Sequence, residues 1–203
     1  MIMAIPGDEV TVGKQSKVQS KLQRALATSS IYRITREIDT MQRVDGFVVG
    51  LGTKWVLIAR TMDGGHSDGL IALQVRDISS LARDRSFETT SAMTQPQPGP
   101  DDLNTIDLDR TGQVIGTMSS LSSLIAVEGD RREPGCLWIG RCVGTNGRWV
   151  GLLEVRPDAS WRRRPNGYRM REMTSVSIGS HYPTALAAVA PEPPGESPQD
   201  ESR

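Results

Sequence analysis

Histidine occurs only twice in the 203 residues, cysteine twice, and aromatic side chains nine times. With His66 and His181 as the sole imidazoles, a histidine-based acid–base pair has little to draw on. The chain also lacks a GxSxG elbow and a phosphate-binding GxxxxGKS/T loop. Enzymatic activity is therefore not expected, and neither a cofactor nor a metal site is. Cys136 and Cys142 would lie about 20 Å apart along an extended segment, too far for a disulfide, and their spacing is not CxxC. Both are expected as buried thiols. Long apolar runs are missing too: none approaches the ~20 residues that a membrane span requires. The opening MIMAIPGDEV lacks a basic region followed by an apolar one, so no secretory signal is visible. A cytoplasmic chain without membrane contact follows as the expectation. So few aromatics favour two compact cores over one wide core.

Net charge is also lacking, at zero, but the zero conceals a pattern. Residues 110–190 carry +5 and residues 1–88 carry +2, while residues 89–109 carry −4 and residues 191–203 carry −3. The two acidic stretches, TTSAMTQPQPGPDDLNTIDLD and PEPPGESPQDESR, are poor in apolar residues and rich in Pro, Ser, Thr and Asp or Glu. Such composition buries too little surface to offset ordering entropy. We read 89–109 as a flexible acidic linker and 191–203 as a disordered acidic tail, leaving folded regions at 12–88 and 110–190.

Both regions repeat one order of elements. KVQSKLQRALATSS carries Val18, Leu22, Ala25 and Leu26 at helical spacing, and GQVIGTMSSLSSL carries a weaker stripe of Val114, Met118 and Leu121. Five short β-branched or aromatic runs follow each helix. They are IYRITREI, GFVVGLG, WVLIAR, LIALQV and ISSLA in the first region, and SLIAVEG, CLWIGRCV, RWVGLLEV, GYRMR and TSVSI in the second. QVRDISSLARDRSF returns as RMREMTSVSIGSHY, so Arg76, Asp77 and Ile78 meet Arg171, Glu172 and Met173, and Phe87 meets Tyr182. Matching apolar runs sets Gly50 against Gly140 and Trp55-Val56 against Trp149-Val150, with a four-residue insertion in the second hairpin. A period near 95 residues suggests tandem domains, not a solenoid.

This order, with Gly46-Phe47-Val48-Val49-Gly50-Leu51, Leu57 and Val75-Arg76, resembles the Sm-like family. The resemblance implies a mainly β chain of two tandem Sm-like five-stranded bent barrels, each with an N-terminal α-helix. Met170-Arg171 matches the same pattern more loosely. Where the family's RNA-contacting Asp and Asn would fall stand Gly52 and Val56, which cannot hydrogen-bond a base edge through a side chain. Asp77 and Glu172 replace the glycine after the family's arginine, and an acid there would repel phosphate or hold the arginine in an ion pair. The chain is also similar to actinobacterial proteins with GFVVG and Arg-Asp-apolar segments, which implies no activity.

One surface segment stands out. In PDASWRRRPNGYRMRE, Arg162, Arg163, Arg164, Arg169 and Arg171 surround Trp161 and Tyr168. Cations with interleaved aromatics can hold a phosphate backbone and stack bases, and Arg76 joins them as a scaffold position. The same residues also suit a solvated hairpin loop around Pro165, Asn166 and Gly167. MDGGHSDG groups Asp63, His66 and Asp68, but its spacing suits tight turns and not a Ca²⁺ loop. Trp55 and Trp149 read as core positions at strand starts. The leading functional expectation is an adaptor or regulatory module that binds a protein partner through barrel edges and loops. The alternative is RNA or DNA binding by the arginine loop. Bare strand edges make a homo-oligomer a further expectation.

Overall fold

Alternation along one strand sets the architecture. In Trp55-Val56-Leu57-Ile58-Ala59, the odd residues join one buried cluster and the even residues join another. Both faces of the sheet are thus covered, which is why the strand reads as an unbroken apolar run. The computed structural model describes residues 7–38, 43–95, 103 and 106–194. Its chain order is α1 (Gly7–Leu26), β1 (Tyr32–Arg36), β2 (Arg43–Leu51), β3 (Trp55–Met62), β4 (His66–Gln74), β5 (Ile78–Arg83), α2 (Glu88–Met93), α3 (Thr111–Leu121), β6 (Ile125–Glu128), β7 (Leu137–Asn146), β8 (Trp149–Glu154), β9 (Asn166–Arg169), β10 (Ser175–Ile178) and α4 (His181–Val189). Short 3₁₀ turns occupy Asp63–Gly65, Val75–Asp77 and Met170–Glu172. The protein is mainly β, as its sequence leads one to expect. Among the described residues, no helix is long and apolar enough to cross a membrane.

All ten strands pair antiparallel in one unclosed sheet, ordered β5-β1-β2-β3-β4-β10-β6-β7-β8-β9. The two five-strand sets do not stand as separate sheets. Strand β4 presents an edge and β10 fills it, with Leu70, Ile71, Ala72 and Leu73 opposite Ile178, Ser177, Val176 and Ser175. Helix α1 lays Val18, Leu22 and Ala25 on one face of the first set, over Ile34, Val56, Ile58 and Leu73. Full burial of each such aliphatic stabilises by roughly 1.5–3 kcal/mol. Helix α3 lays Val114, Ile115 and Met118 in the cluster on the other face, which runs across the seam from Trp55 and Leu57 to Val150 and Val176. Helix α4 covers the opposite face of the second set through Leu186, against Ala126, Ile139 and Val155.

Polar side chains tie the seam as well. Arg36 is 1% exposed and donates from Nη1 to Asp130 Oδ2 at 3.0 Å and from Nη2 to Glu128 Oε2 at 3.4 Å. Thr174 donates to Asp130 Oδ2 at 2.6 Å, and Gln74 Nε2 donates to the Met173 carbonyl at 2.5 Å. A buried guanidinium persists only where its charge and donors find partners like these.

The register corrects the hairpin alignment read from the apolar runs. Gly46 faces Arg60 as Gly140 faces Glu154, and both hairpins carry an irregularity two residues before the next glycine, at Val48/Gly50 and Cys142/Gly144. No insertion separates them: Gly46, Gly50 and Trp55 lie 94 residues before Gly140, Gly144 and Trp149. A Cβ on Gly46 would strike the Ala59 carbonyl, and one on Gly140 would strike the Leu153 carbonyl. Glycine therefore permits the same close strand approach at both places.

Three further expectations change. Cys136 is free and exposed in the turn before β7, and Cys142 is only half-buried at the edge of the cluster that holds Val114, Ile115 and Met118. Trp55 is fully buried, but Trp149 is 38% exposed. The segment read as a linker holds α2 and buries Ile106 and Leu108 on the first strand set. There the Leu108 carbonyl accepts from Trp55 N at 3.0 Å, and Asp109 Oδ1 accepts from Thr53 N and Oγ1 at 2.7 and 3.0 Å. Ala92, Ile106 and Leu108 bury their apolar side chains in the same cluster, although the segment's composition is polar. Residues 96–102, 104 and 105 of that segment, and 195–203 of the tail, lie outside the described residues.

Candidate functional site

Loops from both strand sets meet at one end of the sheet. Trp55 pairs with Gln74 and Trp149 with Arg169 at the matching strand ends. The 3₁₀ turns beyond are clamped alike: Val75 N donates to the Lys54 carbonyl and Met170 N to the Arg148 carbonyl, each at 2.9 Å. This geometry turns Lys54, Arg76 and Arg171 toward a common cleft of about 520 Å³. Arg110 and the first residues of α3, Thr111 and Gly112, complete its wall together with Gln15 and Gln74. Among the described residues no Asp or Glu lines it, and the helix start adds its own partial positive charge. An adjoining hollow of about 390 Å³ shares Gly147, Met170 and Arg171 with the cleft and adds Arg148, Trp149 and Arg169.

The acids beside the two turn arginines are shared with a second pair of arginines. Asp77 points inward, fully buried, and its carboxylate is held by Arg131, while Arg76 Nε stands 3.8 Å away. Burial raises the Asp77 carboxyl above its ordinary range, with Arg131 opposing that shift. Glu172 accepts from Arg132 at 3.1 Å, while Arg171 Nε is 3.9 Å distant. Arg131 and Arg132 thus hold the acids more closely than the turn arginines do, and the Arg76 and Arg171 side chains are 51% and 75% exposed. The ion pairs expected from the sequence form, at 3.8 Å for Arg76–Asp77 and 3.9 Å for Arg171–Glu172, and Arg131 and Arg132 make closer pairs with the same acids.

The predicted arginine loop does not assemble as one site. Strand β8 runs from Trp149 to Glu154, so its ends lie about 17 Å apart at ~3.3 Å per residue. Arg169 belongs to the Trp149 end. Arg162 belongs to the other, where its Nε donates to Glu154 Oε2 at 2.8 Å. Tyr168 donates its hydroxyl to Glu154 and stacks on Trp138 with ring centroids 4.6 Å apart. Burial and the Glu154 carboxylate push the phenol pKa well above its ordinary value. Trp161 pairs with Val155 and donates its indole N–H to the Pro191 carbonyl at 2.8 Å, fastening the chain after α4. Both aromatics are thereby engaged, while Arg163 and Arg164 stand exposed. Of the expected residues, Arg76 and Arg171 meet in the cleft, Arg169 reaches the adjoining hollow, and Trp161, Arg162, Arg163, Arg164 and Tyr168 line neither.

Lys54, Arg110 and Arg148 were not singled out in the sequence. Lys54 and Arg148 each stand directly before a Trp-Val pair, a signal visible once the hairpins are aligned without an insertion. Arg110 carried none, because its place depends on how α3 docks. Gly52 is wedged against the Leu108 backbone and Val56 is fully buried, so neither position can contact a ligand as the family's polar pair does. Compared with protein families, curated proteins and solved structures, the chain finds no match.

Proposed function

We propose that this is a non-enzymatic binding protein made of two tandem, bent five-stranded barrels of Sm-like type, and that its basic cleft holds the phosphate backbone of single-stranded RNA or DNA. Supporting the tandem reading are the glycines, hairpin irregularities and turn clamps that recur at offsets of 94 or 95 residues. The convergence of Lys54, Arg76, Arg110 and Arg171 on one cleft carries the binding reading. Cations so placed release counterions from a phosphate chain, whatever its base sequence. The test is purification at low and high salt, followed by sequencing of copurifying nucleic acid. Salt-released material that is lost on Arg76→Gln/Arg171→Gln substitution supports the reading. Clean protein at both salts, with no affinity for single-stranded oligonucleotides, rejects it.

A second reading, the adaptor, draws on the sheet edges. Strands β5 and β9 each pair on one side only within the described sheet. Such edges accept a strand from a protein partner or from another copy of the chain. Sedimentation of the purified chain across a range of concentrations checks the homo-oligomer, and pull-down with cleft-neutralised protein checks the partner.

A further inference from the structure

The two hairpins match in backbone, but only one is covered. On the first, Leu108 lies in the groove between strand and turn: a Cβ at Gly50 would sit 2.9 Å from Leu108 Cδ1, and one at Gly52 would sit 2.5 Å from the Leu108 carbonyl oxygen. Beneath this cover Trp55 is 0% exposed. On the second hairpin the counterpart groove, about 520 Å³, is lined by Val143, Gly144, Asn146, Trp149, Gly151 and Gly167 among others. A Cβ at Gly144 would meet nothing within 4 Å. Val143 and Trp149 are 41% and 38% exposed, an apolar pair that folding leaves open.

We propose that this second groove docks an extended peptide of a partner protein in which acidic and branched apolar residues alternate, taking the place that Ile106–Asp109 takes on the first hairpin. The first hairpin displays the required chemistry. Leucine fills the space beside the glycines, and the following aspartate accepts hydrogen bonds from the turn. Gly147 is the counterpart of Thr53 and keeps the backbone N–H without the hydroxyl. Arg148 replaces Lys54, and Arg169 stacks over the Trp149 ring at 5.1 Å, so the rim is cationic where the peptide is acidic. The chain's own continuation does not suit the groove. Residues 191–203 contain no Leu, Ile, Val, Met or aromatic residue, and Trp161 fastens Pro191 at the far end of β8. A second copy would have to withdraw Leu108 from its own hairpin to fill the groove.

The probe is the hexapeptide TIDLDR, copied from residues 105–110, titrated into the full chain by calorimetry and NMR. We expect saturable binding with one site per chain and a shifted Trp149 indole resonance. Val143→Glu, at an exposed position, should weaken binding by about tenfold or more through charge repulsion in the groove. The peptide with serine in place of leucine should not bind. Val143→Glu should leave oligonucleotide affinity unchanged, because Val143 lines neither the cleft nor the adjoining hollow, which separates this site from the nucleic-acid cleft. Absence of binding up to about 1 mM peptide, where affinity falls below about −4 kcal/mol, overturns the proposal. So does equal binding by Val143→Glu or by the serine peptide, and so does self-association of the chain that protects Trp149.

Discussion

Neutralising two of the four cleft cations tests the proposed cleft quantitatively. Each phosphate contact on a single strand contributes about −0.7 to the slope of log affinity against log salt. Lys54, Arg76, Arg110 and Arg171 together therefore give about −2.8, and raising salt from about 50 to about 200 mM should weaken binding by roughly 50-fold. In Arg76→Gln/Arg171→Gln the slope should halve to about −1.4, and the same salt step should cost only about sevenfold. Because the whole chain has net charge zero, long-range attraction contributes little and the slope reports local contacts. Both side chains are largely solvent-exposed, so the fold should tolerate their removal. Fluorescence anisotropy of a labelled uridine oligonucleotide across that salt range reads the slope directly. An unchanged slope in the double variant refutes the reasoning. If Arg162→Gln/Arg163→Gln/Arg164→Gln lowers the slope instead, the contact belongs to the loop at the other end of β8.

Other perturbations bear on the scaffold. Leu108→Ala uncovers the first hairpin and should lower stability by about 2–3 kcal/mol, near the lower end for buried leucine, read as a shift of the urea midpoint. Arg36→Met leaves Asp130 buried without its cation and should cost about 3–5 kcal/mol, with partial recovery in Arg36→Met/Asp130→Asn; a single-variant loss below about 1 kcal/mol would show that the pair does not hold the seam. Hydrogen bonds from the Thr53 N–H and hydroxyl hold the Asp109 carboxyl below its ordinary range. Its contribution is thus complete above the unfolded carboxyl's pKa and disappears as pH falls through the depressed folded value. Asp109→Asn should therefore melt earlier than the parent at neutral pH and converge with it in acid, as thermal melts across pH would record.

Local pattern exposed the strands, and long-range geometry hid the rest. All ten strands coincide with short runs rich in apolar, β-branched or aromatic residues, because residues such as Val48, Ile58 and Ile71 are buried on a pleated surface. Helices α2 and α4 escaped notice: ETTSAM and HYPTALAAV are short, and Thr, Ser and Pro obscure their apolar positions. The correct hairpin offset rests on Gly-x-x-Val-Gly followed five residues later by Trp-Val, which the stronger match between FVV and LWI outweighed. The β4–β10 pairing leaves no periodic mark in either strand, since neither carries information about its neighbour. Arg76 and Arg171 were legible through the repeated Arg-acid pair. Trp161 and Tyr168 misled because an aromatic beside arginines suggests stacking, whereas Pro191 and Glu154 had already engaged them.

The seam also imposes an order of events during synthesis. Leu73 of β4 must wait for Ser175 of β10, about a hundred residues later. At about 5–20 residues per second that interval is roughly 5–20 s. Throughout it, Leu70-Ile71-Ala72-Leu73 stands as the bare edge of an otherwise complete five-stranded set, uncharged and without proline. Such an edge pairs readily with any neighbouring strand. Nascent chains on one message carry identical edges, so closely spaced ribosomes bring together the segments most able to pair with one another before β10 arrives.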